Sequence, residues 1–259
     1  MIAAIRIGLD QVAAALALVA VAVAVSAWRR VELERDIAVA VVRSFVQLTA
    51  IGYVIKLIFD SDSLAFVVAL LAAMVGFGAL TARSRARSVP GALVPLLVAL
   101  SVAGAATLGL VLAFGVFAAK ARFLVPVGGM VIGNSMTAAA VALNRLGDEV
   151  AASANEIEAT LALGATATQA IRPALRRSLR SAMIPLVDST KTTGLIFFPG
   201  TMVGMLLAGA APVDAVRLQL ILLYVLLGSV ALAALVSVLL AYRGFFTPAE
   251  QLREFPPSA

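Results

Sequence analysis

Long apolar runs separated by short charged loops dominate this chain, and the lengths of those runs decide the fold class. Seven of them reach or approach the roughly 20 residues that a helix needs to cross about 30 Å of hydrocarbon. They are 12–28, 37–59, 64–82, 93–119, 123–143, 184–211 and 218–242; the first is short and the fourth and sixth are long. The pattern predicts an all-α, polytopic integral membrane protein of about seven transmembrane helices, with one transmembrane domain over 1–259. The first run ends in Val25-Ser26-Ala27, which resembles a signal-peptide ending. Its positive charge (Arg29, Arg30, Arg35) follows the run instead of preceding it, which points to a retained span with the N-terminus outside.

The regular pattern breaks once, in a polar, arginine-rich insert at 152–185. Ser153-Ala154-Asn155-Glu156 and Thr166-Ala167-Thr168-Gln169 both fit a capping box, in which a hydroxyl accepts from an orphan amide and the acid or amide reaches back. Between them Gly164 follows Glu158-Ala159-Thr160-Leu161-Ala162-Leu163, and a residue that tolerates positive φ ends a helix abruptly. The insert therefore predicts helix, sharp turn, helix. In its second helix Ile171, Leu175, Leu179 and Met183 form one face, suited to lipid or protein, while Arg172, Arg176, Arg177 and Arg180 occupy the others.

Composition agrees with the membrane reading: 62% of residues are hydrophobic and 13% charged, against about a quarter charged in soluble domains. Mean hydropathy is +1.06. With the N-terminus outside, thirteen of the 20 Lys and Arg fall on the inner side of seven spans, in the segments 29–35, 83–87, 145–180 and 243–253. Five (Arg6, Lys56, Lys120, Arg122, Arg217) fall outside, and Arg43 and Lys191 lie within spans. This asymmetry places the insert and the C-terminus in the cytoplasm. The net charge of +6 is thus a topology signal, and no soluble basic domain exists to bind nucleic acid. The absence of Cys and His removes disulfides, thiolate or imidazole metal ligands and any Ser-His or Cys-His nucleophile.

Polar residues inside two runs are the candidates for a solute path, because ionisable groups in a bilayer usually face a bundle interior or a wet cavity. The fifth run carries Gly128-Gly129, Gly133, Asn134, Ser135 and Thr137; the sixth opens with Asp188-Ser189-Thr190-Lys191-Thr192-Thr193-Gly194. Asp188 and Lys191 are three apart and share a helix face. They are read either as part of the path or as an interfacial pair with Lys191 snorkelling. Gly129-xxx-Gly133 and Gly200-xxx-Gly204 have the spacing that lets helices approach closely. Pro199-Gly200 predicts a kink or break, which in transporters can free backbone groups to meet a solute. Met130, Met136, Met202 and Met205 offer thioethers to a soft metal or, more simply, line a flexible apolar gap. Arg43 and Gln47 lie one turn apart in the second run, facing a polar interior or, for Arg43, the inner surface. Ser189-Thr190-Lys191-Thr192-Thr193 is similar to the end of a phosphate-binding loop but lacks its preceding glycines, so no ATP site is expected.

Gly133-Asn134-Ser135-Met136-Thr137, the stretch from Glu158 to Thr166, Ile184 to Leu195, and Phe198-Pro199-Gly200-Thr201-Met202 together closely resemble the bacterial Fet-type (iron export) ABC transporter permease family, which also includes a plant aluminium-tolerance permease. The resemblance covers nearly the whole chain. It implies a non-enzymatic permease subunit of the inner membrane, a homodimer driven by a separate cytoplasmic ATPase that carries the ATP and magnesium. The spacing from Glu158-Ala159 to Gly164 also resembles the EAA loop of importer permeases, which implies an ATPase contact through Glu158, Ala159, Gly164, Ala165 and Thr166. The proline of that motif is replaced by Arg177. The substrate-path residues implied are Asn134, Ser135, Thr137, Asp188, Lys191, Thr192, Pro199, Gly200, Met202 and Met205, with no metal ligand set defined. The cargo implied by the resemblance is iron or another metal ion, or an organic or sugar-nucleotide solute. An ion-coupled secondary transporter using Asp188 and Lys191, and a passive membrane scaffold, are the competing classes.

Overall fold

The computed structural model describes residues 8–29, 32–61 and 63–253, and the calls on Arg6, Arg30 and Asp62 lie outside them. Among the described residues there are nine α-helices, one 3-10 turn and no strand beyond isolated bridges. Six helices are long and apolar enough to cross a membrane. The chain divides into two compact units, Met1–Asp62 and Ser63–Ala259.

The first unit is a hairpin of α1 (Leu9–Arg29) and α2 (Glu34–Ser61). Its turn is fastened by Ser26, whose hydroxyl donates to Glu34 Oε1 at 2.8 Å and accepts from Leu33 N at 3.2 Å. The residue that resembled the end of a signal peptide is thus a structural pin between two helices. Only 6% and 0% of the two membrane-length windows are buried, so the hairpin has almost no core of its own.

The second unit comprises α3 (Leu64–Arg85), α4 (Leu93–Ala113), α5 (Ala121–Ala152), α6 (Ala154–Ala162), α7 (Ala167–Thr192), α8 (Gly200–Leu207) and α9 (Pro212–Ala241), followed by the 3-10 turn Tyr242–Phe245. The central helix, α5, packs against α3, α4, α7 and α9. Small residues make this possible. A Cβ on Gly128 would lie 2.4 Å from Leu71 Cδ2, and one on Gly147 would lie 2.2 Å from Ser88 Oγ. Those two are the closest approaches on α5, whereas Gly133, and Gly200 and Gly204 on α8, face open space. Spacing identified glycines on a common face, but not whether a neighbour in this chain covers that face.

Among the described residues two apolar cores mark the ends of the bundle. Leu96, Leu100, Leu143, Leu146, Ile171, Val238 and Phe245 are buried together at one end. Val127, Val131 and Leu222, with Leu108, Phe117 and Leu218 against them, form the other. The sixth apolar run is not one helix. Its first part is the continuation of α7, which passes through Pro173 and Pro185 without interruption and joins the insert to the membrane as one rod. That rod of 26 residues is about 39 Å long at 1.5 Å per residue. The predicted break at Pro199-Gly200 begins earlier, at Thr193, which is extended (φ −61°, ψ 131°) and followed by Gly194 at φ +86°. Pro199 instead caps the short α8.

Candidate functional site

The turn between α6 and α7 follows from backbone requirements. Gly164 has φ +88°, Gly164 N donates to Leu161 O at 2.9 Å and Ala165 N donates to Thr160 O at 3.3 Å. These two bonds close a Schellman motif, satisfying carbonyls that the end of α6 would leave orphaned. Thr166 then opens α7 with the predicted capping box: its hydroxyl accepts from Gln169 N at 3.4 Å and its amide donates to Gln169 Oε1 at 2.9 Å. At the tip of the turn Leu163 is 89% exposed. Glu158 and Ala159 are exposed beside it.

The box predicted at Ser153 does not form, because the Ser153 hydroxyl has another partner. Arg177 Nη2 donates to it at 3.1 Å, and Arg177 Nε donates to the Glu149 carboxylate. The arginine that replaces the proline of the importer motif therefore ties α7 to the junction of α5 and α6. With Ser153 N still bonded to Glu149 O, α6 follows α5 after a single non-helical residue.

Several segments converge on this end of the bundle. Ser88 meets α5 at Gly147, and Pro90 meets Gly244. Arg85, Ala140, Val141, Asn144 and Arg145 line an open cavity of about 310 Å³. From the far end of α9 the chain returns to α7: Tyr242 and Thr168 share a hydroxyl hydrogen bond at 3.0 Å, and Glu250 Oε2 accepts from Ala167 N at 2.9 Å. The tail contacts were not expected from sequence. Tyr242 and Glu250 are separated from their partners by 74 and 83 residues, beyond any local pattern. Arg177 was assigned only to a polar face.

The residues proposed for a solute path are distributed along α5, α7 and α8. Asn134 and Thr137 are exposed on α5, and each donates to its own helix, to Met130 O at 2.8 Å and Gly133 O at 3.2 Å. Ser135 lies on the opposite face and is fully buried. Its position follows from 3.6-residue periodicity, which separates neighbours by about 100°. Asp188 and Lys191 form the expected pair at 3.5 Å, with both side chains mostly exposed. Ser189, Thr190, Thr192 and Thr193 donate to carbonyls three or four residues back, so the end of α7 satisfies its own hydroxyls. Met202 and Met205 are partly buried on α8, after Pro199 and Gly200. Met130 and Met136 pack against the two cores. Among the described residues no group of three or more His, Cys, Asp or Glu could hold a metal ion.

A bundle of membrane-length helices, with a broken helix and a folded helix-turn-helix at one end, defines a polytopic α-helical membrane protein. The model of the family described as "Uncharacterised protein family (UPF0014)" matches residues 9–246, and the chain belongs to that family. It is 38% identical over 248 residues to the UPF0014 membrane protein STAR2 of Oryza sativa subsp. japonica, covering 96% of this chain and 87% of that protein. It is 35% identical over 246 residues to Protein ALUMINUM SENSITIVE 3 of Arabidopsis thaliana, covering 95% and 90%. It is 34% identical over 243 residues to the Probable iron export permease protein FetB of Escherichia coli (strain K12), covering 94% of each. No solved structure matches.

Proposed function

We propose that the chain is the membrane-spanning permease subunit of an ABC exporter in a bacterial inner membrane, powered by a separate cytoplasmic ATPase that binds ATP and magnesium. The observation that carries this reading is the α6–α7 turn: a rigidly built, exposed element on a helix that runs unbroken into the membrane. ATPase closure pushing on Leu163, Glu158 and Gly164 would be transmitted along α7 to the Thr193–Pro199 break. The turn, the α3–α4 loop and the C-terminal tail share one end, and that end holds Arg85, Arg145, Arg172, Arg176 and Arg180. The positive-inside rule makes it cytoplasmic, with the N-terminus outside. Because α9 ends where α7 begins, the broken α7–α8 segment completes one crossing.

The name of the similar FetB supports iron or another metal ion as cargo. The donors along the path are weak (Asn134, Thr137, Asp188, carbonyls and thioethers), which suits passage more than storage. A second cargo class, an organic anion, is favoured by the cavity that Arg85 and Arg145 line. A homodimer is supported by the open face of α5, where Gly133, Asn134, Thr137 and Val141 are left uncovered.

The test is reconstitution of the purified chain in proteoliposomes with its cognate cytoplasmic ABC ATPase. ATP hydrolysis stimulated by ferrous iron or by a nucleotide sugar, with matching efflux, is expected. Gradient-driven flux from the chain alone, without ATPase, would instead assign the secondary transporter based on Asp188 and Lys191. No flux under either condition would leave a scaffold.

A further inference from the structure

The C-terminal tail after α9 forms a small structure of its own. Phe246 pairs with Leu252, Thr247 N donates to Gln251 O at 2.8 Å, and Arg253 N donates to Phe245 O at 2.9 Å. At its apex Glu250 has φ +57°, one of two non-glycine residues with positive φ among those described. An L-residue there costs on the order of 1–2 kcal/mol, so the surrounding bonds must hold it in place. Glu250 N donates to Thr247 O at 2.9 Å, and Gln251 N donates to the Thr247 hydroxyl at 3.2 Å. The strained position points the Glu250 carboxylate at the first amide of α7, where the helix dipole also favours a negative charge.

The tail and the α6–α7 turn therefore face each other across an open cavity of about 630 Å³. Its walls include Glu158, Leu161 and Gly164 on one side and Glu250, Gln251 and Leu252 on the other. Neither Glu158 nor Glu250 forms an ion pair among the described residues. Two carboxylates thus share a socket at an end of the molecule whose other exposed charges are mainly arginines, with the bare Leu163 at its edge.

Resting on the ABC reading above, we infer that the docking surface for the cytoplasmic ATPase is composite: the turn supplies one wall, the C-terminal tail supplies the other, and a basic side chain of the ATPase enters between Glu158 and Glu250. The tail then has two tasks. It fixes the start of α7, and it adds a negative group that the turn alone lacks. Charge complementarity selects the occupant, because an acidic socket set within a basic surface repels the anionic headgroups that the surrounding arginines would attract.

The test measures the dissociation constant between the full chain in nanodiscs and the purified cognate ABC ATPase, at low and high salt. Glu250→Gln keeps an oxygen acceptor for Ala167 N and removes the charge, so the capping hydrogen bond persists while the charge available for docking is lost. Glu158→Gln and Glu250→Gln are each expected to weaken binding about tenfold at low salt, with the loss shrinking at high salt. The double variant is expected to lose less than the product of the two, because both carboxylates act on one cation. Unchanged affinity in Glu250→Gln, with Glu158→Gln still impaired, would overturn the composite surface and leave the ABC reading standing. Failure of the unsubstituted chain to bind the ATPase would overturn both.

Discussion

Two leucines, Leu163 and Leu195, are each 89% exposed and flank the two ends of α7, yet the structures around them differ in kind. At the N-terminal end the backbone is bonded at every turn: a Schellman closure, a capping box, the Glu250 contact and the Arg177 bridge. Buried Ala167, Ala170, Ile171, Ala174 and Leu175 lock that half of the helix to its neighbours. At the C-terminal end the chain leaves the helix at Thr193 and turns through Gly194, with only local backbone bonds to Thr192 and Phe197. Ile196 and Phe198 are exposed there, and α8 buries no residue fully. One end is bonded on several sides. The other has few contacts to lose if it changes shape.

The comparison is broken most severely by Ile171→Ala, which leaves a void at a fully buried position. A loss of about 2–5 kcal/mol is expected, read from denaturant or thermal unfolding in detergent, whereas Ile196→Ala at the other end should change stability by less than about 0.5 kcal/mol. Gly164→Val comes next, since a β-branched residue at φ +88° costs roughly 1–2 kcal/mol and reshapes the turn. It should abolish the chain's stimulation of ATP hydrolysis, as measured in proteoliposomes. Thr166→Ala removes one half of the capping box and should cost about 1 kcal/mol by the same unfolding assay. Arg177→Met removes partly exposed bonds to Glu149 and Ser153, so its stability cost should stay below about 1 kcal/mol. Its transport per ATP hydrolysed should fall, because α7 is then no longer tied to the end of α5. The smallest change is expected from Asp188→Asn, whose partner Lys191 is 70% exposed: less than about 0.5 kcal/mol in stability. A large fall in ATP-dependent flux in that variant would place the pair in the solute path.

Much of the firm end was legible in the chain. Thr166, Gln169 and Gly164 carry chemistry specific enough to predict a cap and a turn, because each acts on backbone groups within a few residues. Ser153 matched the same pattern and failed, since a remote arginine claimed its hydroxyl. The tail was illegible for the same reason: Glu250 and Tyr242 act across more than 70 residues. In the membrane-spanning part hydropathy located the runs, but it could not divide 184–211, where apolarity continues through a backbone break. Thr193 and Gly194 held the signal for that break, in a run of hydroxyls ending at a glycine, yet Pro199-Gly200 was the more conspicuous breaker. The open glycines at 133, 200 and 204 show a further limit of spacing. It reports what a helix can accept, and only packing reports what it has accepted.

The account rests on the α6–α7 turn being where the ATPase binds, and photo-crosslinking from the two leucine positions tests that most directly. A photoreactive residue is placed at Leu163 in one variant and at Leu195 in another, each reconstituted with the ABC ATPase and irradiated. The account predicts a covalent adduct to the ATPase from position 163 and none from position 195. An intact complex that gives no adduct from 163, or equal adducts from both, would contradict it.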